Sequence, residues 1–214
     1  METFRWPGDG DENLTLNRLL DQHPKYSAGA VDDLEEFPST QPIFYLADRF
    51  TLLDQGWFFF SETPDVIYSR TFNGSFPAFA SWIELEATNT GTVFKVLNLH
   101  TDFASYGNRH QSLELVASRI TPWLEASEAT IITGDYNAWQ GSRLQQIIAD
   151  TGLSFAPVTA STYHFDHGLR VLHAIDHVAY SSAFILTNQP VVLQQKFLDE
   201  WPTDHYPVVI DLAY

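Results

Sequence analysis

The chain has 214 residues, 44% of them hydrophobic and 14% aromatic, which is enough for one compact domain with a sizeable core. It contains no Cys, which excludes disulfides, thiolate metal sites and a cysteine nucleophile. The net charge of -16 argues against a binder of duplex nucleic acid and favours a small partner molecule. No apolar run approaches the roughly 18 residues that cross a bilayer. The N-terminal segment lacks the pattern of a signal peptide, so we expect a cytoplasmic protein.

The first half of the chain alternates between polar segments and runs of strand length. Asn13 can cap a helix that continues to Leu20 and ends before Pro24. Gln55-Gly56 interrupts the strand predicted over 52–60, and Asn89-Thr90-Gly91 forms a hairpin turn between the strands predicted over 80–86 and 93–99. The four predicted strands are 42–46, 52–60, 80–86 and 93–99, with turn-rich segments over 27–41 and 61–77.

The second half contains the strongest helical pattern. Apolar residues recur at helical spacing over 108–125, with Asn108 as the predicted cap and Pro122 as a late kink. A shorter helix is predicted over 142–150. The remaining apolar runs predict strands over 129–133, 161–165, 174–180, 191–197 and 208–212. Strands outnumber helices and no linker interrupts the chain, which predicts a single domain, 1–214, of layered α/β or α+β type.

Four short segments place acids, amides and imidazoles at or near the ends of predicted strands. They are Asn98-Leu99-His100-Thr101-Asp102, Gly134-Asp135-Tyr136-Asn137, Ile175-Asp176-His177-Val178 and Thr203-Asp204-His205-Tyr206-Pro207. A sheet fixes the backbone at a strand end while the adjoining loop frees the side chain, so catalytic groups often gather there. The set is rich in oxygen donors and has no thiol, which suits Mg²⁺ or Mn²⁺ better than structural zinc.

Each segment also has a structural interpretation. Asp135 and Asn137 could be turn formers, and Asp176 could be a satisfied carboxylate inside a strand. His100 could be a buried, hydrogen-bonded histidine. His177 points away from Asp176 in a regular strand, so we expect it to be structural.

Phosphoryl transfer matches the combined set better than other chemistries do. A cation neutralises the phosphate oxygens, a carboxylate takes a proton from water, and an imidazole or amide stabilises the transition state. The chain lacks a G-x-S-x-G nucleophile motif, a phosphate-binding Gly-rich loop and a dinucleotide fingerprint. The residues therefore predict a metal-dependent hydrolase of phosphoesters.

The order of these motifs resembles that of the endonuclease/exonuclease/phosphatase superfamily, whose fold is that of deoxyribonuclease I. Three further stretches resemble its bacterial branch. They are Pro42-Ile43-Phe44-Tyr45, Phe60-Ser61-Glu62-Thr63-Pro64-Asp65 and Thr162-Tyr163-His164-Phe165. The resemblance covers about residues 40–214. It implies a four-layered αββα sandwich with the site at one edge of its two sheets.

The resemblance implies roles for individual residues. Asp135 would be the base that activates water or a ligand that orients it, and Asn137 would hold that water or a phosphoryl oxygen. His205 would lie against the scissile phosphate, oriented by the hydrogen bond that it donates to Asp176, and Asp204 would help to bind Mg²⁺ or Mn²⁺.

Four more residues are implied in supporting roles. His100 would contact the phosphate, and Asn98 would support the site from behind. Arg109 would anchor the substrate or its own loop, and His164 would bind substrate. Nuclease, lipid phosphodiesterase and sugar or inositol phosphatase chemistry use the same groups, so the phosphoester substrate and the oligomeric state stay open.

The family's first strand and its metal-binding Glu have no counterpart in this sequence. Either the true start lies upstream of Met1, or the protein is shortened and another acid substitutes. The candidate substitutes are Glu2 and the acids of Asp9-Gly10-Asp11-Glu12. The alternatives to a working hydrolase are an impaired or inactive phosphate-binding remnant of the same fold and a fragment that folds poorly alone.

Overall fold

The computed structural model describes residues 14–31, 40–72, 78–197, 199–201 and 203–214. Several predicted residues lie outside these ranges: the helix cap Asn13, the metal ligand Glu2 and its alternatives Asp9, Asp11 and Glu12. The chain divides into two compact units, residues 1–99 and 100–214. Among the described residues, no helix has both the length and the apolar character that a bilayer crossing requires.

The described residues of the first unit form one helix and five strands, the last of which ends one residue beyond the unit: α1 (Leu14–Gln22), β1 (Tyr26–Gly29), β2 (Ile43–Leu46), β3 (Phe50–Phe59), β4 (Phe79–Ala87) and β5 (Thr92–His100). β1 and β2 form an antiparallel pair, and β3, β4 and β5 form an antiparallel meander. The hairpin turn predicted before Thr92 is confirmed, because Gly91 donates its backbone N–H to the carbonyl of Ala87. β1 lies in a segment that was predicted to be turns, and only its pairing with β2 makes it a strand.

The predicted interruption of β3 at Gln55-Gly56 is wrong. β3 runs through both residues, and its register shifts between Leu52 and Asp54. Gly56 serves a close approach, because a Cβ there would lie 2.8 Å from the indole of Trp82. A side chain would therefore force the two strands apart.

The core of the first unit follows the alternation along β4. Ser81, Ile83 and Leu85 are buried, and Ile83 and Leu85 pack with Ala30 in one apolar cluster. The aromatic run that ends β3 is also buried. Burial of these rings removes large apolar areas from water, which stabilises the unit.

The second unit contains two helices and seven strands that are wholly within it. They are α2 (Tyr106–Glu125), β6 (Ala129–Asp135), α3 (Arg143–Ala149), β7 (Ser154–Phe155), β8 (Asp176–Tyr180), β9 (Ile185–Leu186), β10 (Val191–Val192), β11 (Val208–Val209) and β12 (Leu212–Ala213). β6, β8 and β7 are adjacent and antiparallel, whereas β10 pairs with β11 and β12 with β9.

The cap of α2 is Ser105 and not Asn108. The backbone of Ser105 is extended, and its hydroxyl accepts the N–H of Asn108 at 3.2 Å. Asn108 lies inside the first turn, where its amide is used for another contact. Pro122 lies within the helix, which ends at Glu125. The prediction for α3 is confirmed, with Ser142 as its cap.

Three predicted strands are shorter than expected. Over 161–165 the structure has only an isolated bridge between Tyr163 and His205. The strand predicted over 191–197 is limited to β10, and the one over 208–212 is divided between β11 and β12. Apolar composition allows an extended chain, but a strand ends where its partner ends.

Candidate active site

The centre of the candidate site is a pair of carboxylates on neighbouring strands. Asp135 is the last residue of β6 and Asp176 is the first residue of β8. Because the strands are antiparallel, their register places these residues directly opposite each other. Like charges in this position repel, so the pair requires a compensating cation or proton.

His205 reaches the carboxylates from an irregular segment. Its Nδ1 lies 2.8 Å from Oδ2 of Asp176, and its Nε2 lies 3.8 Å from Oδ2 of Asp135. Thr162 connects the two chain segments that carry Asp176 and His205. Its hydroxyl accepts the N–H of Asp176 at 3.2 Å, and its carbonyl accepts the N–H of Tyr206 at 2.7 Å. One buried residue thus fixes both partners of the Asp176–His205 pair.

Asp135 is held by the turn that follows it. Asn137 has a left-handed backbone, with φ of 45°, which Asn tolerates better than most residues. Its N–H donates to Oδ1 of Asp135 at 2.7 Å. Its side-chain amide donates to Oδ2 of Asp135 at 3.2 Å and to the carbonyl of Thr101 at 3.0 Å. His100 approaches from the other side, with Nε2 3.6 Å from Oδ2 of Asp135.

Two pKa shifts define the electrostatics of the centre. Burial and the charge of Asp176 raise the pKa of Asp135 to about 7, against the opposing effects of His100, Asn137 and His205. Burial disfavours the charged form of His205, but the hydrogen bond and the charge of Asp176 outweigh it and raise its pKa to about 9. Near neutral pH, Asp135 can therefore exchange a proton while His205 is cationic.

The donor set fits a divalent cation. Asp135, Asp176 and His205 each offer a ligand atom within 4.8 Å of the others. Carboxylate oxygens are the ligands that Mg²⁺ and Mn²⁺ prefer. The predicted ligand Asp204 is not a member of this group. Its Oδ1 accepts from the hydroxyl of Thr203, and its carbonyl accepts the N–H of His164.

The remaining predicted residues lie in other surroundings. Asn98 is buried in β5, opposite Ser81 of the first unit. Arg109 donates from Nη1 to the carbonyls of Asp102 and Phe103, which is the loop contact that the sequence allowed as an alternative. His164 is fully buried, with its ring 4.3 Å from that of Tyr206 and 4.7 Å from that of Trp201. Substrate contact by Arg109 and His164 stays a prediction.

Three residues organise the site without a predicted individual role, and Asp102 was expected only as one carboxylate of the oxygen-rich set. Thr162 was noted only as part of a motif, and Thr101 only as a neighbour of His100. Asp102 is buried, where it accepts the N–H of Ala104 at 2.8 Å and the amide of Asn108 at 2.6 Å. The spacing of Asp102 and Ala104 is that of an Asx turn, which could have identified this loop as ordered.

No protein-family model and no functionally curated protein matches the sequence. Solved structures do match. The chain is similar to a mannosyl-6-phosphatase from Bacteroides thetaiotaomicron, with 25% identity, a TM-score of 0.81, and coverage of 94% of this chain and 82% of that chain.

It is also similar to an endonuclease/exonuclease/phosphatase family protein from the same organism, with 24% identity, a TM-score of 0.80 and coverage of 93% and 79%. The catalytic domain of human Nocturnin, with a bound sulfate anion, gives 18% identity, a TM-score of 0.65 and coverage of 93% and 75%. The four-layered α/β sandwich that the sequence predicted is confirmed by these likenesses.

Proposed function

The chain has the fold of the endonuclease/exonuclease/phosphatase superfamily, and we propose that it is a phosphoester hydrolase that depends on Mg²⁺ or Mn²⁺. The observation that carries the proposal is the group formed by Asp135, Asn137, Asp176 and His205, in which the pKa values of Asp135 and His205 are both raised. Fold alone does not imply function, so the argument rests on this site.

Asp135 accepts the proton of the attacking water. Its pKa of about 7 is close to the pH at which a general base is both deprotonated and basic. The two hydrogen bonds from Asn137 fix the orientation of its carboxylate. As water attacks phosphorus, the bond between phosphorus and the leaving alcohol breaks.

His205 and His100 bind the phosphate. Both imidazoles point an Nε2 at the same oxygen of Asp135, at 3.8 and 3.6 Å, so a phosphoryl group beside that oxygen would lie between them. His205 is cationic near neutral pH and favours the negative charge that develops in the transition state. Asp176 keeps the ring oriented and charged.

The carboxylate of Asp176 would help to hold the cation, with Asp204 and Glu2 as predicted further ligands, and Asp135 would stay free to act as the base. When bound, the cation would neutralise the nonbridging oxygens of the phosphate. The net charge of -16 makes this neutralisation necessary for any phosphoester and favours a small substrate over duplex DNA. The mannosyl-6-phosphatase to which the chain is similar acts on a small phosphoester, which supports a small substrate as well.

The proposal is tested with p-nitrophenyl phosphate and bis-p-nitrophenyl phosphate in the presence of Mg²⁺. EDTA should abolish hydrolysis, and Asp135→Asn should reduce kcat by about a thousandfold or more, since positioned acid–base groups contribute roughly 10² to 10⁴. The matched control is Asp150→Asn, an exposed acid that follows α3.

Hydrolysis that persists in EDTA, or equal rates for the two variants, would contradict the mechanism. Mg²⁺ binding measured by calorimetry without hydrolysis of either ester would instead support the phosphate-binding remnant.

A further inference from the structure

Two aromatic rings extend from the candidate site to solvent. The ring of Tyr163 lies 4.9 Å from that of His205, and the ring of Phe165 lies 4.3 Å from that of Tyr163. Tyr163 is half-buried, and Phe165 is 43% exposed. The three rings form a continuous surface that begins at the imidazole assigned to the phosphate and ends in water.

The backbone beneath this surface is strained. Phe165 has φ of 56°, in the left-handed region that costs a bulky L-residue about 1–2 kcal/mol, whereas Asp166, with φ of 58°, is of a residue type that tolerates this region. Gly would adopt this left-handed backbone at a lower energetic cost than Phe. A contribution to stability therefore does not explain why an exposed Phe is at position 165. Strained residues of this kind cluster at ligand-binding positions.

Acidic groups flank the ring pair. Burial raises the pKa of the Tyr163 hydroxyl, and the charges of Asp204 and Asp166 raise it further. Carboxylates accept hydrogen bonds from hydroxyl groups, and they repel a second phosphate. The surface therefore suits a neutral group that has an apolar face and several hydroxyl donors.

We propose that Tyr163 and Phe165 bind the sugar ring of a sugar phosphate, whose phosphate lies at His205. The C–H face of the sugar packs on the two rings, and its hydroxyls donate to Asp166. This inference rests on the proposed function because the phosphate is placed at the same site, and it adds the class of alcohol that carries the phosphate. A nucleobase would also stack on the rings, but it would bring Asp166 an amino or ring N–H group in place of several hydroxyl donors.

Binding is measured by calorimetry with Mg²⁺ and phosphonates, in which a carbon replaces the ester oxygen so that no hydrolysis occurs. The probes are the phosphonate analogues of glucose 6-phosphate, mannose 6-phosphate, glycerol 3-phosphate and adenosine 5′-monophosphate. The wild type should bind one of the hexose analogues about tenfold more tightly than the glycerol analogue, the size expected for one or two aromatic contacts.

Phe165→Gly should remove most of this preference without lowering Tm, because Gly relieves the left-handed backbone. The control is Val171→Gly, whose side chain is 78% exposed and lies in the same irregular region. It should leave the preference unchanged. Tyr163→Phe, which keeps the ring, should retain at least half of the preference.

Equal affinities for the hexose and glycerol analogues, tighter binding of the adenosine analogue, or no binding of any analogue would overturn the inference. An equal loss in Val171→Gly would do the same. If the hexose analogue binds as expected but its phosphate ester is not hydrolysed, the sugar-binding inference stands and the proposed catalysis fails.

Discussion

The dipeptides 176–177 and 204–205 are both Asp-His, but the first pair contributes its aspartate to the candidate site and the second contributes its histidine. In the first, Asp176 is at the site and His177 is buried, with 1% of its surface exposed and Nε2 2.8 Å from the carbonyl of Ala138. In the second, His205 is at the site and Asp204 is outside the carboxylate and imidazole cluster. The difference arises because residues 176–177 lie in a regular strand, where neighbours face opposite sides.

The surroundings then give the two imidazoles opposite properties. Burial lowers the pKa of His177, and its ring packs edge-on against those of Tyr136 and Phe155. The pKa of His205 is raised to about 9, because Asp176 outweighs the effect of burial. The charge of Asp176 raises the pKa of both histidines, and burial lowers both, so the direct hydrogen bond between Asp176 and His205 is what distinguishes them.

The largest expected effect is a difference in catalytic activity between variants of His205 and variants of His177. His205→Asn should reduce kcat by about a thousandfold on p-nitrophenyl phosphate while the protein stays folded, because the charge beside the phosphate is lost. His177→Asn should keep most of the activity of its folded fraction. Steady-state assays and circular dichroism measure both. Similar losses of kcat in the two folded variants would contradict the assignment of His205.

The next largest effect is a difference between variants of Asp176 and Asp204 in the pKa of His205. Asp176→Asn should lower the pKa of His205 from about 9 toward its ordinary value of 6.5 and reduce kcat by about a hundredfold. NMR titration of the imidazole follows the pKa. Asp204→Asn should weaken Mg²⁺ binding and move the pKa of His205 less. An unchanged His205 titration in Asp176→Asn would show that the pair is not coupled.

A smaller effect concerns stability. His177→Gln should lower the free energy of unfolding by about 1–3 kcal/mol, because a buried hydrogen bond and the ring packing are disturbed. Urea unfolding measures this change. His110→Gln is the control, because its imidazole is on the outer surface of α2 and is 41% exposed. Equal midpoints for the two variants would mean that His177 contributes little to the core.

The smallest predicted effect is a pH dependence of the metal-free protein. The pKa of Asp135 is raised from 3.8 to about 7, so between these values the native state holds a proton that the unfolded chain has released. Through this group, stability in EDTA falls as pH rises from about 4 to about 7. His205, with its pKa raised from 6.5 to about 9, loses its contribution as pH rises through about 9.

Asp135→Asn removes the first of these groups. Relative to wild type, the variant should therefore gain at least about 1 kcal/mol of stability between pH 4 and pH 7 in EDTA. Thermal unfolding across this range provides the comparison. A stability difference that stays constant with pH would show that the pKa of Asp135 is not raised.

The sequence determined the motifs, the fold and most of the helices and longer strands of the described residues. Alternation along β4 and helical spacing along α2 are local properties, so they can be read without a partner. The alternation of a strand also predicted that His177 would face away from Asp176, and its burial confirms this. The sandwich followed from the order of the motifs and the resemblance that they carry.

Only the tertiary structure decided which groups meet. The antiparallel register of β6 and β8 puts Asp135 opposite Asp176, and Thr162 links that pair to the segment of His205. Strand lengths over 161–165 and 191–197, and the strand β1, depended on partners distant in sequence. A sequence gives each residue its chemistry, but pKa values and pairings arise from neighbours that only folding brings together.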